Sequence, residues 1–244
     1  MKYFLLLMST SLLLAEKLTL GLGPYIQTQP YKDVDPILVP SPVIFYDNSL
    51  VYARWTRFGI YFLGGKTDDS SWGLSLSIQP RPYGYLSSDS AFLEGMDERK
   101  NSFEGGLALS MQKEKTFFEL MFFTDVLHKN KAYILKAELG YEYKSGDLSL
   151  YPGLSAHYQS SDFLNYYYGV KQNEVNAQRT FYAPNGGYGF ALHSYIQYSL
   201  TKQLSLFSHI KVEKLSKEAK ESPLVEDATI TSGLLSLIYT FDYE

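Results

Sequence analysis

Residues 233–244, at the end of the chain, read GLLSLIYTFDYE. From residue 235 onward, every second position carries a large apolar or aromatic side chain, and residue 238 is the one apolar exception between them. The alternating residues are Leu235, Leu237, Tyr239, Phe241 and Tyr243. A period of two predicts an extended strand with two unlike faces. Such an apolar face contacts either a protein core or lipid, and the rest of the sequence has to distinguish the two.

The same alternation recurs along the chain, and the length of the alternating runs favours lipid. The clearest runs are WGLSLSIQ (72–79), YILKAELGYEY (133–143), YGFALHSYIQYSL (188–200) and LSLFSHIKVE (204–213). Strands in soluble domains are mostly about 5–6 residues long, whereas a strand that crosses a membrane needs about 9–11. These runs therefore favour membrane strands. A soluble barrel or sandwich that buries the same face is the alternative.

The first residues predict export. The segment MKYFLLLMSTSLLLAEK has one Lys near its start, a Leu-rich stretch too short to span a membrane as a helix, and Ala15 before Glu16. This pattern is typical of a cleaved secretory signal peptide over residues 1–15, which leaves residues 16–244 as one barrel domain. An N-terminal strand or buried helix is the alternative. The chain has no Cys, which excludes a lipid-anchored lipoprotein and a disulfide scaffold.

Composition excludes two further classes of protein. No later apolar run reaches the roughly 18 residues of a transmembrane helix, so we expect no inner-membrane protein. The net charge is −4, and no Lys/Arg-rich stripe suggests a nucleic-acid partner. The 22 Tyr and 15 Phe residues instead indicate surfaces that are half apolar and half hydrated.

The connections between the runs are of two kinds. Tight polar turns are predicted at 112–115, 144–147 and 201–203, whereas long irregular segments are predicted at 81–99, 160–186 and 213–227. Short turns at one end and long loops at the other are typical of outer-membrane barrels, in which the turns lie in the periplasm. The sequence therefore predicts an all-β fold, a transmembrane antiparallel β-barrel.

Counting hairpins backwards from the C-terminus predicts about twelve strands. They lie near 17–28, 40–46, 50–55, 58–64, 72–80, 100–112, 116–125, 131–143, 147–159, 187–200, 203–213 and 228–243. An even number agrees with single-chain bacterial barrels. Ten strands is the alternative if residues 50–64 form one kinked strand and another segment is miscounted.

Aromatic side chains on the outward parity are expected to form a girdle at the periplasmic rim, because such rings favour the lipid–water boundary. The girdle candidates are Tyr141, Tyr143, Tyr198, Tyr239 and Phe241.

Polar side chains on the opposite parity are expected to line the lumen. The candidates are Lys136, Glu138, Glu142, His157, His193, His209, Lys211 and Glu213. Three of them are His on consecutive strands, which allows a metal site or a His-based catalytic pair, but barrel interiors are normally polar. Their distances from the turns also differ, and Ser194 points away from His193. We therefore predict no catalytic, metal or cofactor-binding residues, and a constricted lumen in which the mixed charges pair.

Several separated motifs resemble one family. They are GLGPYIQTQPYKDVDPILVPSPVIFY near the N-terminus, RPYGYLSSDSAFLEGMDERKNSFEGGLAL (81–109), YYGVKQNE (167–174) and SPLVEDATITSGLLSLIYTF (222–241). In this order they are similar to the MltA-interacting protein family, also called MipA/OmpV. The resemblance implies a β-barrel in the outer membrane of a Gram-negative bacterium, surrounded by lipid. It also implies a scaffold that brings a lytic murein transglycosylase and a penicillin-binding protein together.

The leading functional hypothesis is therefore a non-enzymatic barrel that acts as a scaffold for cell-wall enzymes. A small-solute channel or a surface adhesion barrel is the alternative. A scaffold would act through the periplasmic turns at 64–71, 112–115, 144–147 and 201–203, whereas a channel would use the charged lumen. Each turn alone is smaller than the roughly 800 Å² per partner of a standard interface, which argues against the leading hypothesis.

Overall fold

The computed structural model describes residues 17–81 and 84–242, with the backbone alone at position 242. The predicted signal peptide and Tyr243 lie outside the described residues.

The described chain is almost entirely β-structure, and its strands follow the alternating runs of the sequence. The segments are β1 (Lys17–Gln27), β2 (Ile37–Asp47), β3 (Val51–Arg54), β4 (Arg57–Lys66), β5 (Ser70–Arg81), β6 (Ser102–Lys113), β7 (Thr116–Asp125), β8 (Tyr133–Tyr141), β9 (Tyr143–Ser145), β10 (Leu148–Gln159), β11 (Gly187–Ser199), β12 (Leu204–Lys214) and β13 (Thr229–Asp242).

These segments form one closed antiparallel barrel. Each barrel strand pairs with the next in the chain, and β1 pairs with β13, with Leu22 opposite Leu237, which closes the sheet. The segments β8 and β9 both pair with β10 and are two parts of one strand. The 13 segments therefore make twelve barrel strands, as predicted. The ten-strand alternative is wrong, because β3 and β4 are separate strands that pair with each other.

A proline explains the break between β8 and β9. The Ser160 N–H donates to the Tyr133 carbonyl (3.1 Å), so even-numbered backbone groups of β10 point toward β8. By the register of this pair, Pro152 faces Tyr141. Proline has no N–H to donate, and the ladder is interrupted at Glu142.

The two faces of the wall differ as membrane strands require. On β13, Leu235 and Leu237 are 56% and 50% exposed, whereas Ser236 and Ile238 are 2% and 1% exposed. Large apolar side chains are exposed in this way on every long strand of the barrel. An outer face of this kind matches lipid and not water, so the alternative of a soluble barrel with a buried apolar face is wrong. No helix in the described ranges is long and apolar enough to cross a membrane.

The two ends of the barrel are unlike. Short turns at 48–50, 67–69, 114–115, 146–147 and 200–203 lie at the end that also holds both ends of the described chain. The other end carries the long connections at 28–36, 84–101, 126–132, 160–186 and 215–228, and the two-residue turn at Trp55 and Thr56. The rule for bacterial barrels places the short-turn end in the periplasm.

The long connections are more ordered than predicted. They contain the helices α1 (Ser161–Tyr168) and α2 (Lys217–Lys220) and two 3-10 turns at Ala91–Leu93 and Gln172–Glu174. The hydroxyls of Ser160 and Ser216 cap the two helices by accepting hydrogen bonds from backbone N–H groups of the first turn, as Ser does at N-cap positions. Buried side chains from five connections pack together over the barrel mouth, and this assembly is called the cap below. Its buried residues include Tyr31, Tyr85, Leu93, Phe163, Leu164, Tyr168, Leu215 and Leu224.

Candidate functional site

Two Lys–Glu pairs lie on inward positions of the strands where the sequence predicted a charged lumen. Lys136 Nζ lies 2.7 Å from Glu138 Oε2, and Lys211 Nζ lies 2.8 Å from Glu213 Oε2. Each pair is formed within one strand, two residues apart, because such residues share a face. Both carboxylates are buried.

Two histidines connect these pairs across neighbouring strands. His193 of β11 reaches past β10 to Glu138 of β8, with 3.2 Å between Nε2 and Oε1. His157 of β10 reaches past β11 to Glu213 of β12, with 3.6 Å between Nε2 and Oε1. By strand register, the two arrangements are related by an approximate two-fold axis between β10 and β11. Together with the two Lys residues they are called the charge belt.

A glycine makes each crossing possible. A Cβ on Gly153 would collide with the His193 ring, and a Cβ on Gly189 would collide with the His157 ring. Each ring therefore lies flat over the backbone of the strand that it crosses. Close approach of a side chain to backbone is one of the positions at which only glycine fits.

The remaining lumen candidates lie outside these pairs. His209 stacks on Tyr195, with 4.6 Å between ring centroids, and its ring lies 6.3 Å from that of His193. Glu142 is half-buried near a periplasmic turn, where it accepts a hydrogen bond from the Tyr151 hydroxyl at 3.3 Å. Among residues 17–81 and 84–242, no three His, Asp or Glu residues are arranged to hold a metal ion.

A second charged cluster was not predicted from the sequence. Glu119 of β7 accepts two hydrogen bonds from Arg57 (2.7 and 2.6 Å) and one from Arg54 (2.5 Å). The Ser110 hydroxyl donates to the same carboxylate at 2.7 Å. The available signal was Glu119 itself, the one charged residue in FFELMFF (117–123).

A third ion pair lies closer to the cap. Arg81 binds Glu104, and Gln79 donates to the same carboxylate at 3.0 Å. The charge belt and the Glu119 cluster adjoin each other, because Glu119 of β7 lies directly opposite Glu138 on the neighbouring strand β8, and in each of the three sets the acid has a basic partner. Paired charges of both signs thus project into the lumen, as expected for a barrel between the filled eight-stranded and the open sixteen-stranded kinds.

Some polar atoms in the loop-side half of the lumen have no protein partner within the described chain. They are Gln27 Nε2, Gln159 Oε1 and Ser232 Oγ, and all three residues are buried. Buried polar groups of this kind are normally satisfied by ordered water. We therefore expect water at these three groups beneath the cap.

The cap is held by a buried ion pair and by an arginine that binds carbonyls. Arg99 donates to both oxygens of Glu174 at 2.8 and 3.0 Å. Arg179 donates to the carbonyls of Glu174 (3.0 Å), Glu94 (3.1 Å) and Phe92. Because these partners come from different connections, the arginines tie the connections together over the barrel mouth.

An exposed pair lies at the edge of the cap. Lys171 Nζ donates to Asp97 Oδ2 at 2.7 Å. This hydrogen bond and the positive charge of Lys171 hold the pKa of the Asp97 carboxyl below its ordinary value.

The structure places all five girdle candidates on the outer face, near the short-turn end. Tyr141, Tyr143, Tyr198, Tyr239 and Phe241 are all exposed. A second row, not predicted, lies toward the loop end, where the rings of Phe122, Tyr133, Tyr158 and Tyr188 follow one another at 5.8, 6.2 and 4.9 Å. On β8, Tyr133 and Tyr141 lie eight residues apart, which is about 26 Å along the strand at 3.3 Å per residue. At a strand tilt of about 35–45°, this spacing spans about 19–22 Å along the membrane normal, which is most of the roughly 25 Å apolar band of such barrels.

Comparison with known proteins places this barrel in a family. The family profile described as MltA-interacting protein MipA matches residues 20–241. The MltA-interacting protein of Escherichia coli is 26% identical over 230 residues, covering 93% of this chain and 90% of that protein. The outer membrane protein OmpV of Vibrio cholerae is 30% identical over 171 residues, covering 68% and 64%. The outer membrane protein Omp26La of Vibrio anguillarum is 29% identical over 210 residues, covering 84% and 79%.

Solved outer-membrane structures also align with the chain. A Pseudomonas aeruginosa FadL homologue aligns with a TM-score of 0.42 and 9% identity, covering 94% of this chain and 90% of that one. The porin NanC aligns with a TM-score of 0.41 and 8% identity, covering 92% and 99%. The family match over almost all of the closed, lipid-facing barrel is the decisive finding, and the chain belongs to the MltA-interacting protein (MipA/OmpV) family of Gram-negative outer-membrane barrels.

Proposed function

We propose that this protein is a non-enzymatic barrel that holds periplasmic cell-wall enzymes at the outer membrane. The observation that carries the proposal is the set of paired charges inside the barrel together with the cap over its mouth. The charge belt lies along the inner wall, Arg54 and Arg57 reach from β3 and β4 past β5 and β6 to Glu119, and the cap packs over the mouth at the loop end. A barrel that is filled and capped is poorly suited to solute passage in its resting form, so its accessible surfaces are the better candidates for its function.

The partner that we propose is a lytic murein transglycosylase, with a penicillin-binding protein as a second partner. One relative, at 26% identity over most of both chains, is named MltA-interacting protein. The relatives are named as interacting or outer membrane proteins and not as enzymes, which supports the non-enzymatic role.

The surface available to a periplasmic enzyme is the ring of short turns. Exposed charges of both signs lie there, among them Lys113, Glu114 and Lys115 in one turn and Lys144 and Asp147 in another. One turn is too small for a standard interface of roughly 800 Å² per partner. The partner would therefore have to bridge several turns around the rim, and charge would contribute mainly to orientation and association rate.

Affinity capture tests the scaffold directly. Tagged full-length barrel is crosslinked in its host cells, and captured proteins are identified by mass spectrometry, with murein-lytic and murein-synthesising enzymes expected. The K113E/K115E variant should capture less of these enzymes, by about tenfold if the turn contributes about 1.4 kcal/mol. The matched control, K217E/K220E, changes two exposed lysines at the loop end and should leave capture unchanged. Absence of murein enzymes from the unaltered barrel's partners would contradict the proposal.

A small-solute channel is the second candidate, and one observation favours it. The unpartnered atoms of Gln27, Gln159 and Ser232 indicate water in the loop-side half of the lumen. With water in that half, only the layers of paired charges would obstruct the passage of a solute through the barrel. Single-channel recording in planar bilayers separates the candidates, because a scaffold with a filled lumen should conduct ions poorly.

A further inference from the structure

The barrel wall has a gap beside its shortest hairpin. Strand β3 has four residues, whereas β2 beside it has 11. Pairing of the hairpin with β2 ends where the Trp55 N–H donates to the Ile44 carbonyl at 2.8 Å. Pairing with β5 ends at Phe58 opposite Ile78. Beyond these points β2 and β5 continue toward the loop end, and no described strand lies between them. At the level where the hairpin ends, β2 and β5 are three strand spacings apart, which is about 14 Å.

Prolines occupy the edge of β2 that faces this gap. The Ile44 carbonyl accepts from the hairpin, so even-numbered backbone groups of β2 point away from β1. Pro40 and Pro42 have this parity. Neither has an N–H, so neither leaves a donor without a partner at the open edge.

The opposite edge follows the same rule. The Val126 N–H donates to the Phe103 carbonyl at 3.0 Å, so the backbone of Phe103 points to the β7 side of β6. Its partner across the sheet is Pro80. In an antiparallel pair, two opposed residues either exchange backbone hydrogen bonds or both direct their backbone groups away from each other. Because the backbone of Phe103 points away from β5, that of Pro80 points away from β6 and into the gap. An unpaired N–H in hydrocarbon is costly, and Pro40, Pro42 and Pro80 remove three such donors from the two edges, which leaves the Leu38 N–H nearer the loop end.

Strand β2 is apolar on both faces near the gap, unlike the alternating strands elsewhere. Its inward positions include Ile37, Val39, Val43 and Phe45. Val39 is 44% exposed although it has inward parity, whereas Ser41, also inward, is 8% exposed. The inner side of the gap is therefore apolar, and at Val39 it is not covered by other side chains.

Trp55 forms the inner wall behind the gap. Its φ of +60° is unusual for a bulky residue and turns the indole into the lumen, where alternation along the strand would have aimed it at lipid. There the indole N–H donates to Ser41 Oγ at 3.1 Å, and the ring packs edge-on against Tyr25. Strained residues of this kind are frequent at binding sites. The indole joins an apolar lumen cluster around Val43, Phe207, Leu234 and Ile238.

On the outer side, an apolar depression of about 510 Å³ lies below the gap. Ala53 is the small residue at its centre, and larger side chains surround it, among them Tyr46, Phe58, Ile60, Leu76 and Ile78. These side chains belong to the lipid-facing surface, so the depression and the gap are continuous with the surface that contacts the bilayer.

We propose that the gap is a binding site for the acyl chain of an outer-leaflet lipid, which lies in the outer depression and enters between β2 and β5 to contact Trp55. The lipid is the occupant because the site opens into the hydrocarbon layer, is apolar on both sides and offers almost no backbone donors. The inference is independent of the scaffold role, since it concerns the wall and not the periplasmic turns.

Fluorescence quenching tests the site, because the chain has two Trp residues. The Trp72→Phe variant leaves Trp55 alone, and the Trp55→Phe variant leaves the lipid-facing Trp72 as a positive control. A variant with Phe123→Trp in the background of both substitutions places a lumen probe behind the fully paired wall of β6, β7 and β8. In vesicles of phosphatidylcholine with brominated acyl chains, Trp55 should be quenched to an extent comparable with Trp72. Quenching of Trp55 no greater than that of the probe at position 123 would overturn the proposal.

Cysteine labelling provides a second measurement, because the chain has no Cys. Val39→Cys at the gap should react about tenfold faster with a membrane-partitioned alkyl maleimide than with a charged, water-soluble one, since an alkyl chain concentrates in the bilayer. Ala191→Cys, inward and buried on the complete wall, should react with neither. Equal rates of the two reagents at Val39→Cys would overturn the acyl-chain assignment, as would alkyl labelling of Ala191→Cys at the same rate.

Discussion

The wall formed by β10–β13 and the wall formed by β2–β5 solve the same problem in opposite ways. In the first, long strands are paired throughout, and His157 and His193 cross neighbouring strands over glycines to reach buried carboxylates. In the second, a short hairpin leaves two strand edges without partners, and prolines remove most of their donors. Unpaired backbone N–H groups are costly in a membrane, and this barrel limits them by pairing on one side and mainly by removing the group on the other.

The largest expected effect comes from charge on the complete wall. Leu139→Arg or Leu237→Arg should impair assembly, because Arg at mid-bilayer costs about 2–4 kcal/mol on the lipid face of a barrel. The inward change Glu138→Gln should be tolerated. Heat-dependent gel mobility of the refolded barrel measures the folded fraction, and the opposite ranking would mean that the faces are assigned the wrong way round.

The next effect concerns the charges that fill the lumen. Removing both belt carboxylates, with Glu138→Ala and Glu213→Ala, should raise conductance in planar bilayers several-fold, because Lys136 and Lys211 lose the neighbouring carboxylates that neutralise and position them. Glu142→Ala, outside the belt, is the control and should change little. General-porin conductance from the unaltered barrel would remove the filled-lumen interpretation and place the channel first.

Two prolines compare the walls directly. Pro152→Ala should stabilise the barrel by about 0.5–1.5 kcal/mol, because it supplies an N–H that faces the Tyr141 carbonyl and can restore one ladder hydrogen bond. Pro42→Ala should instead destabilise it, by about 1–3 kcal/mol, since the new N–H faces the gap without a partner. Urea unfolding in lipid vesicles measures both. If Pro42→Ala proves as favourable as Pro152→Ala, the edge of β2 has a partner and the gap is closed.

The smallest effect belongs to the rim of the cap. Since the folded pKa of Asp97 lies below its ordinary value, the contact with Lys171 stabilises the cap above the ordinary carboxyl pKa. This stabilisation is lost as pH falls through the folded pKa. Asp97→Asn should remove that pH dependence, with a loss at neutral pH within the 0–1 kcal/mol of exposed pairs. Hydrogen exchange of the 160–186 connection as a function of pH is the measurement. An unchanged pH profile in Asp97→Asn would exclude this contact as its cause.

Most of the fold could be predicted because its signal is local. Alternation at Leu235, Leu237 and Tyr239 defines a strand and its two faces without reference to any other segment, and the same holds for the other long runs. The contrast between short turns and long connections in the sequence predicted how many strands there are and which end of each faces the periplasm. The cap was missed as a folded unit, since its 3-10 turns and short helices are stabilised by contacts between connections, such as Arg99 with Glu174. Isolated helices of this length are marginal in water.

Which side chains face the lumen follows from the residue order, since a period of two assigns every residue of a strand to one face. Which of them meet depends on how the strands pair in the folded barrel. The contacts of His193 with Glu138 and of His157 with Glu213 depend on register across three strands, and a shift of that register by one residue would exchange the faces. The position of the gap likewise depends on closure of the sheet into a barrel. The prolines of β2 and β5 are visible in the sequence, but their missing N–H groups face one opening only once the ends of the sheet have met.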